Sequence, residues 1–142
     1  MMSRYEANAT NRYALSRYEA HALLQSIAFL FLFPLGALVA LFRNKIGYGW
    51  KTTHITLQLT ASAMVFLAVY LMATRPNKKE SAEKKNHRLL GKTIVGLIVF
   101  QLVWAFVGRR VVDYGTWLWI HMVLSVGIIA GGWTNLWLGA RG

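Results

Sequence analysis

The sequence predicts an all-α integral membrane protein, an antiparallel bundle of four transmembrane helices. Three observations predict it. Four long stretches carry no charged residue, short polar segments separate them, and no stretch shows the period-two alternation that a membrane barrel requires. Apolar residues make up 56% of the 142, yet only five acids balance sixteen bases. A soluble chain this basic would point to nucleic acid. Here the bases are excluded from the apolar runs, as membrane spans require, so no nucleic-acid partner is expected.

The first run, Ala22 to Phe42, holds 21 residues and the second, Thr52 to Thr74, holds 23. The third, Thr93 to Gly108, holds 16 and reaches 20 if it begins at Leu89 and Lys92 snorkels. The fourth, Tyr114 to Ala140, holds 27. A bilayer core of roughly 30 Å takes about 20 helical residues, so each can cross. The links Arg43–Lys51 and Arg109–Asp113 are short and force antiparallel neighbours. Arg75 to Lys92 reads as a longer basic loop, with Pro76 as a helix stop. Pro34 lies inside the first span and predicts a kink. Trp50, Tyr114, Trp117 and Trp119 sit near run ends, where interfacial aromatics collect. Residues 1–17 form a polar basic tail without the apolar core of a signal peptide, and 18–142 form one membrane domain. A pentapeptide recurs, Ser3-Arg4-Tyr5-Glu6-Ala7 and Ser16-Arg17-Tyr18-Glu19-Ala20, which predicts either a short surface helix or a duplicated tail without function.

There are four histidines, one per span: His21, His54, His87 and His121. Each falls near the N-terminal end of its helix. Ionisable groups inside a bilayer are costly and usually functional. Antiparallel topology turns this placement into geometry. If side A is the face where the first helix starts, His21 and His87 lie near side A, and His54 and His121 near side B. These pairs are the diagonals of a four-helix square, and facing helices of a bundle build cofactor sites in this way. Two imidazoles opposed across a bundle can ligate one haem iron from both faces. The expectation is therefore two haem b groups stacked along the membrane normal. Their irons should stand on the order of 20 Å apart, from a core of about 30 Å less one turn at each end.

Small residues along the spans would make room for flat macrocycles: Gly36, Ala37, Ala40, Ala61, Ala63, Ala68, Gly91, Gly96, Gly127, Gly131 and Gly132. Close helix packing explains any one of them equally well. Arg17, Arg88 and Lys92 flank the side A pair, and Lys51, Arg109 and Arg110 the side B pair; these are candidates to hold haem propionates, although bases also flank membrane spans for topological reasons. The absence of cysteine removes disulfides, thiolate metal sites, iron–sulfur clusters and covalent haem attachment. Zinc would need clustered ligands, which four histidines split between two faces cannot supply. Met64, Met72 and Met122 as axial ligands would leave the histidines unexplained. One aspartate, Asp113, gives no basis for a catalytic triad, and no Gly-rich phosphate loop is present, so no catalytic residues are assigned.

The segments YEAHALLQSIAFLFLFPLGALVALF, WKTTHITLQLTASAMVFLAVYLMA, NHRLLGKTIVGLIVFQLVWAFVG and TWLWIHMVLSVGIIAGGWTNLWLGA resemble the cytochrome b561 family over about residues 18 to 140. The nearest flavour is the domain found beside DOMON modules. The resemblance implies the same crossed pairs, His21 with His87 and His54 with His121. It also implies an ascorbate-binding role for Lys51, since some members use a Lys three residues before the second His. This chain departs from the family in having four core helices, where most members have five or six, and no DOMON module.

Eleven bases lie on side A and five on side B, so the positive-inside rule places side A and both termini in the cytoplasm, matrix or stroma. The family's topology implies the opposite, and the charge rule is preferred. The sequon Asn8-Ala9-Thr10 would matter only with side A lumenal. The function expected is a transmembrane electron carrier or oxidoreductase subunit. Its expected partners are lipid, a small-molecule reductant such as ascorbate or quinol, or a redox partner protein, with a larger membrane complex or a homodimer covering the faces of the absent outer helices. The alternative is a haem-free structural or assembly subunit whose basic segment binds anionic lipid.

Overall fold

The computed structural model describes residues 15–73 and 81–141. They form four long helices: α1 (Arg17–Leu41), α2 (Trp50–Ala73), α3 (Ala82–Val107) and α4 (Tyr114–Arg141). The shortest, α2, has 24 residues and spans about 36 Å at 1.5 Å per residue, enough to cross a bilayer. Their outward faces carry large apolar side chains, among them Leu30, Phe31, Phe100, Val103, Phe106 and Val126. Helices apolar on every side are membrane spans, and the chain is an integral multi-pass membrane protein.

Two helix starts lie earlier than hydropathy alone suggests. Ser16 accepts from the Glu19 amide and the Glu19 carboxylate accepts from the Ser16 amide, a reciprocal capping box. The second copy of the repeated pentapeptide therefore starts α1; the first copy lies outside the described residues, as do the sequon, Arg75 and Pro76. Ser81 caps α3 by accepting from the Lys84 amide. This corrects the reading of Arg75–Lys92 as a loop: from Ala82 onward it is helix, because a capped helix extends past the apolar stretch into water.

Pro34 is accommodated by a π-helical segment, Ile27–Leu32. The Phe33 amide donates to Ala28 O, five residues back. The next residue, Pro34, has no N–H to give. The carbonyl of Phe29 is thereby left without a donor in its own helix, and the Trp133 indole of α4 donates to it at 2.8 Å. Between α1 and α2, Arg43–Ile46 makes one helical turn, and Gly47 (φ 74°) and Gly49 (φ 102°) take left-handed conformations that reverse the chain.

Consecutive helices form two hairpins, α1–α2 and α3–α4, whose helices pack along their length. The hairpins meet more sparingly, α1 against α4 and α2 against α3, and the backbones of the diagonal helices stay apart among the described residues. The interhairpin core sits at mid-depth. It comprises Ala28, Phe29 and Phe33 from α1, Ala61 and Val65 from α2, Ile94 and Ile98 from α3, and Ile128 from α4. Gly132 belongs to this layer: a Cβ there would collide with the Phe29 ring, so the glycine makes room for an aromatic side chain. Near the α3–α4 turn, Trp117 Nε1 donates to Trp104 O at 3.1 Å and Trp104 Nε1 to Trp117 O at 3.3 Å. Gly108 lies beneath both rings, where a Cβ would stand 2.8 Å from each.

Candidate functional site

The four histidines come together as two pairs on the diagonals. His21 of α1 and His87 of α3 have ring centroids 6.1 Å apart with planes at 79°, and His54 of α2 and His121 of α4 are 6.2 Å apart at 67°. Two imidazoles sharing one metal need about 2 Å from each nitrogen to the metal. Adding roughly 1 Å from nitrogen to ring centre on each side gives about 6 Å, which both pairs meet. All four rings are half-buried.

Backbone partners define the tautomers. His21 Nδ1 donates to Ala68 O at 2.9 Å, His54 Nδ1 to Gly36 O at 2.8 Å, and His87 Nδ1 to Asn135 O at 2.9 Å. A carbonyl can only accept, so Nδ1 carries the proton in each, and Nε2 keeps its lone pair. Metal-ligating histidines usually donate their other ring N–H in this way, which orients the ring. His121 differs: its Nδ1 lies 2.9 Å from the Gln101 side-chain nitrogen. Its ring is stacked on Trp117 (5.4 Å, 13°), which is stacked on Tyr114 (5.7 Å, 27°), with the Arg109 guanidinium 5.2 Å from the Tyr114 ring.

The hydrogen bonds also give the depth of each pair. His21 lies level with Ala68, fourteen residues beyond His54 on α2, and His54 lies level with Gly36, fifteen beyond His21 on α1. In the other hairpin, His87 lies level with Asn135, fourteen beyond His121, and His121 level with Gln101, fourteen beyond His87. At 1.5 Å per residue these offsets give about 21–23 Å between the two levels. The mid-depth core fills the interval.

A cleft lies at the side B pair, and a buried amide oxygen without a partner lies beside each pair. An apolar cleft with about 70 Å³ of internal space, partly open to the outside, is lined by His54, His121, Gln101, Ser125 and Gln58 together with Phe33 and Ile98. Two buried side-chain atoms lack a hydrogen-bond partner among the described residues, Gln101 Oε1 beside the side B pair and Asn135 Oδ1 beside the side A pair. His87 rests against Gly139, where a Cβ would stand 2.9 Å from the ring. Opposed imidazoles, three of them with Nδ1 donating to a carbonyl, an apolar cleft at one pair and buried amide oxygens without partners fit a haem held between each pair. No group of three or more metal-ligating side chains converges among the described residues.

Arg17 and Lys51 are exposed in the first turns of α1 and α2, and Arg88 and Lys92 are exposed further along α3, two to three turns from its start. Lys51 lines a concavity of the α1–α2 loop with Arg43, Asn44, Tyr48 and Trp50, next to the His54 end of α2. The small residues divide. Gly36 supplies the carbonyl for His54, whereas Gly96 and Gly127 have open space beside them. Sequence reasoning missed Gln101, Ser125, Asn135 and Gly139. The signal for the amides was available, since Gln101 and Asn135 are strongly polar groups within apolar runs, but a scan for charges passes over them.

A model of the family described as eukaryotic cytochrome b561 matches residues 20–111, more than half of the chain. The match takes in His21, His54 and His87 and stops before His121. No curated protein and no solved structure matches the chain.

Proposed function

The chain belongs to the eukaryotic cytochrome b561 family, a family of transmembrane haem-b electron carriers, and from that premise we propose that it carries two haem b groups and passes electrons between the two faces of its membrane. The observation that carries the reading is the pair of diagonal imidazole couples, 6.1 and 6.2 Å between centroids, at two depths about 21–23 Å apart. Haem b, when bound, supplies a one-electron ferric/ferrous couple. The chain's part would be to bring His21 to His87 and His54 to His121, to hold the rings of His21, His54 and His87 through backbone carbonyls, and to separate the two levels by an apolar core.

Arg17, Arg88 and Lys92 lie at the side A end of the bundle and are proposed to meet the propionates there. Lys51, in the basic and aromatic concavity next to His54, is proposed to meet an anionic reductant of the ascorbate class on side B. A quinol or a redox partner protein is the alternative donor, and a larger complex or a homodimer would cover the lipid-facing sides. Lys51→Ala with unchanged ascorbate kinetics would remove the assignment to Lys51.

The test of the whole reading is optical. Purified protein reduced with dithionite should show a b-type spectrum with about two haems per chain, and His87→Leu and His54→Leu should each halve that ratio. A colourless protein would instead favour a haem-free structural subunit.

A further inference from the structure

Gln101 is where one histidine leans on a side chain instead of the backbone. The partners of His21, His54 and His87 are main-chain carbonyls, which no substitution removes. Gln101 Nε2 lies 2.9 Å from His121 Nδ1, 2.7 Å from Ser125 Oγ and 3.0 Å from His121 O, while Ser125 Oγ–H itself donates to His121 O at 2.8 Å. Gln101 Oε1 is buried without a partner.

An amide NH₂ only donates. In this orientation His121 Nδ1 accepts, and the neutral ring carries its proton on Nε2, the nitrogen left for the facing His54. Such a ring has no lone pair for a metal at Nε2. A half-turn of the amide exchanges its oxygen and nitrogen. The oxygen then accepts from Nδ1–H, and Nε2 is bare, as in the other three histidines. The half-turn gives up the amide's donation to His121 O and lets the Ser125 hydroxyl donate to Oε1 instead, and the ring's proton goes with the amide.

We propose that Gln101 is a positioning residue: its carbonyl, turned to Nδ1, holds His121 in the metal-binding tautomer and sets how much electron density that ligand gives the side B haem. This rests on the dihaem reading above. A carboxylate at 101 would accept only, and more strongly, and would favour the ferric state. A thioether would give the ring no oriented acceptor.

The experiment is a spectroelectrochemical redox titration of the purified holoprotein, wild type against Gln101→Glu and Gln101→Met, with haem content measured in parallel. Wild type should show two haem waves. Gln101→Glu should move one wave to more negative potential and leave the other in place. Gln101→Met should move the same wave to more positive potential and weaken haem retention at that site roughly ten- to hundredfold. If Gln101→Met fails to fold, the nearly isosteric Gln101→Glu carries the test. Two waves unmoved in Gln101→Glu, or both moving together, would overturn the proposal and leave Gln101 as a clamp between α3 and α4. A wild-type protein without two waves would remove the dihaem reading itself, and this inference with it.

Discussion

At the scale of single residues, the site is built from backbone carbonyls and small neighbours as much as from histidines. Gly139 shows this. Its missing Cβ gives the His87 ring its place, with a Cβ otherwise 2.9 Å from Cε1. Gly139→Val should displace the ring and halve the haem-to-protein ratio while leaving the His54–His121 site loaded, measured by haem extraction. Asp113 is a residue of another kind, the N-cap of α4 outside the membrane. Its Oδ1 accepts from the Thr116 amide at 3.0 Å. The Thr116 hydroxyl and amide together hold its carboxyl below the usual carboxylate range. A depressed folded pKa means that the cap stabilises above the unfolded pKa of about 4 and that this is lost as pH falls through the folded value. Asp113→Asn keeps an acceptor at the cap. Its melting temperature should therefore fall less than wild type's between pH 5 and 3, and an identical fall would show that Asp113 does not contribute.

At the scale of elements, α1 and α4 are joined by the consequence of one proline. The π-helical turns and Pro34 leave the Phe29 carbonyl without a donor, and Trp133 supplies one. Trp133→Phe should destabilise the bundle by about 1–3 kcal/mol, the cost of a buried unsatisfied carbonyl. An alanine at position 34 restores an N–H five residues after Phe29, in the register the π segment already uses. The Trp133→Phe change should therefore cost less in a Pro34→Ala background, and a double-mutant cycle in detergent unfolding should show coupling between the two sites. Strict additivity would mean that Trp133 acts by packing alone. Gly132→Leu should overpack the same contact against Phe29, at about 1–3 kcal/mol.

At the scale of the whole molecule, two hairpins carry equivalent histidines. His21 and His87 follow the starts of α1 and α3, and His54 and His121 those of α2 and α4. The hairpins are closely packed within themselves and joined mainly through the mid-depth core. On either side of that core the diagonal helices are bridged by facing imidazoles, so a ligand gripped by a pair would tie one hairpin to the other. Ligand that binds only the folded state stabilises it by mass action. Protein made under haem limitation should melt at a lower temperature than haem-replete protein, and proteolysis of it should begin at the helix ends around the histidines. Equal melting temperatures would place the stability in the mid-depth core alone.

The span lengths, the antiparallel order and the diagonal pairing of the histidines could be read from residue order alone, because a bilayer constrains length and short loops constrain direction. The starts of α1 and α3 were also present in local motifs, the Ser16–Glu19 capping box and the Ser81 cap, but a hydropathy reading stops where charge begins. Other features belong to the tertiary structure. Which carbonyl meets each Nδ1, the role of Gln101 beside His121, the indole that serves Phe29 and the glycine beneath His87 each join residues from 18 to 104 positions apart. Their meeting depends on the rotation and vertical offset of one helix against another. Apolar periodicity cannot report that rotation for helices that are apolar on every face, because lipid and protein make the same demand on a side chain; only the packing distinguishes them.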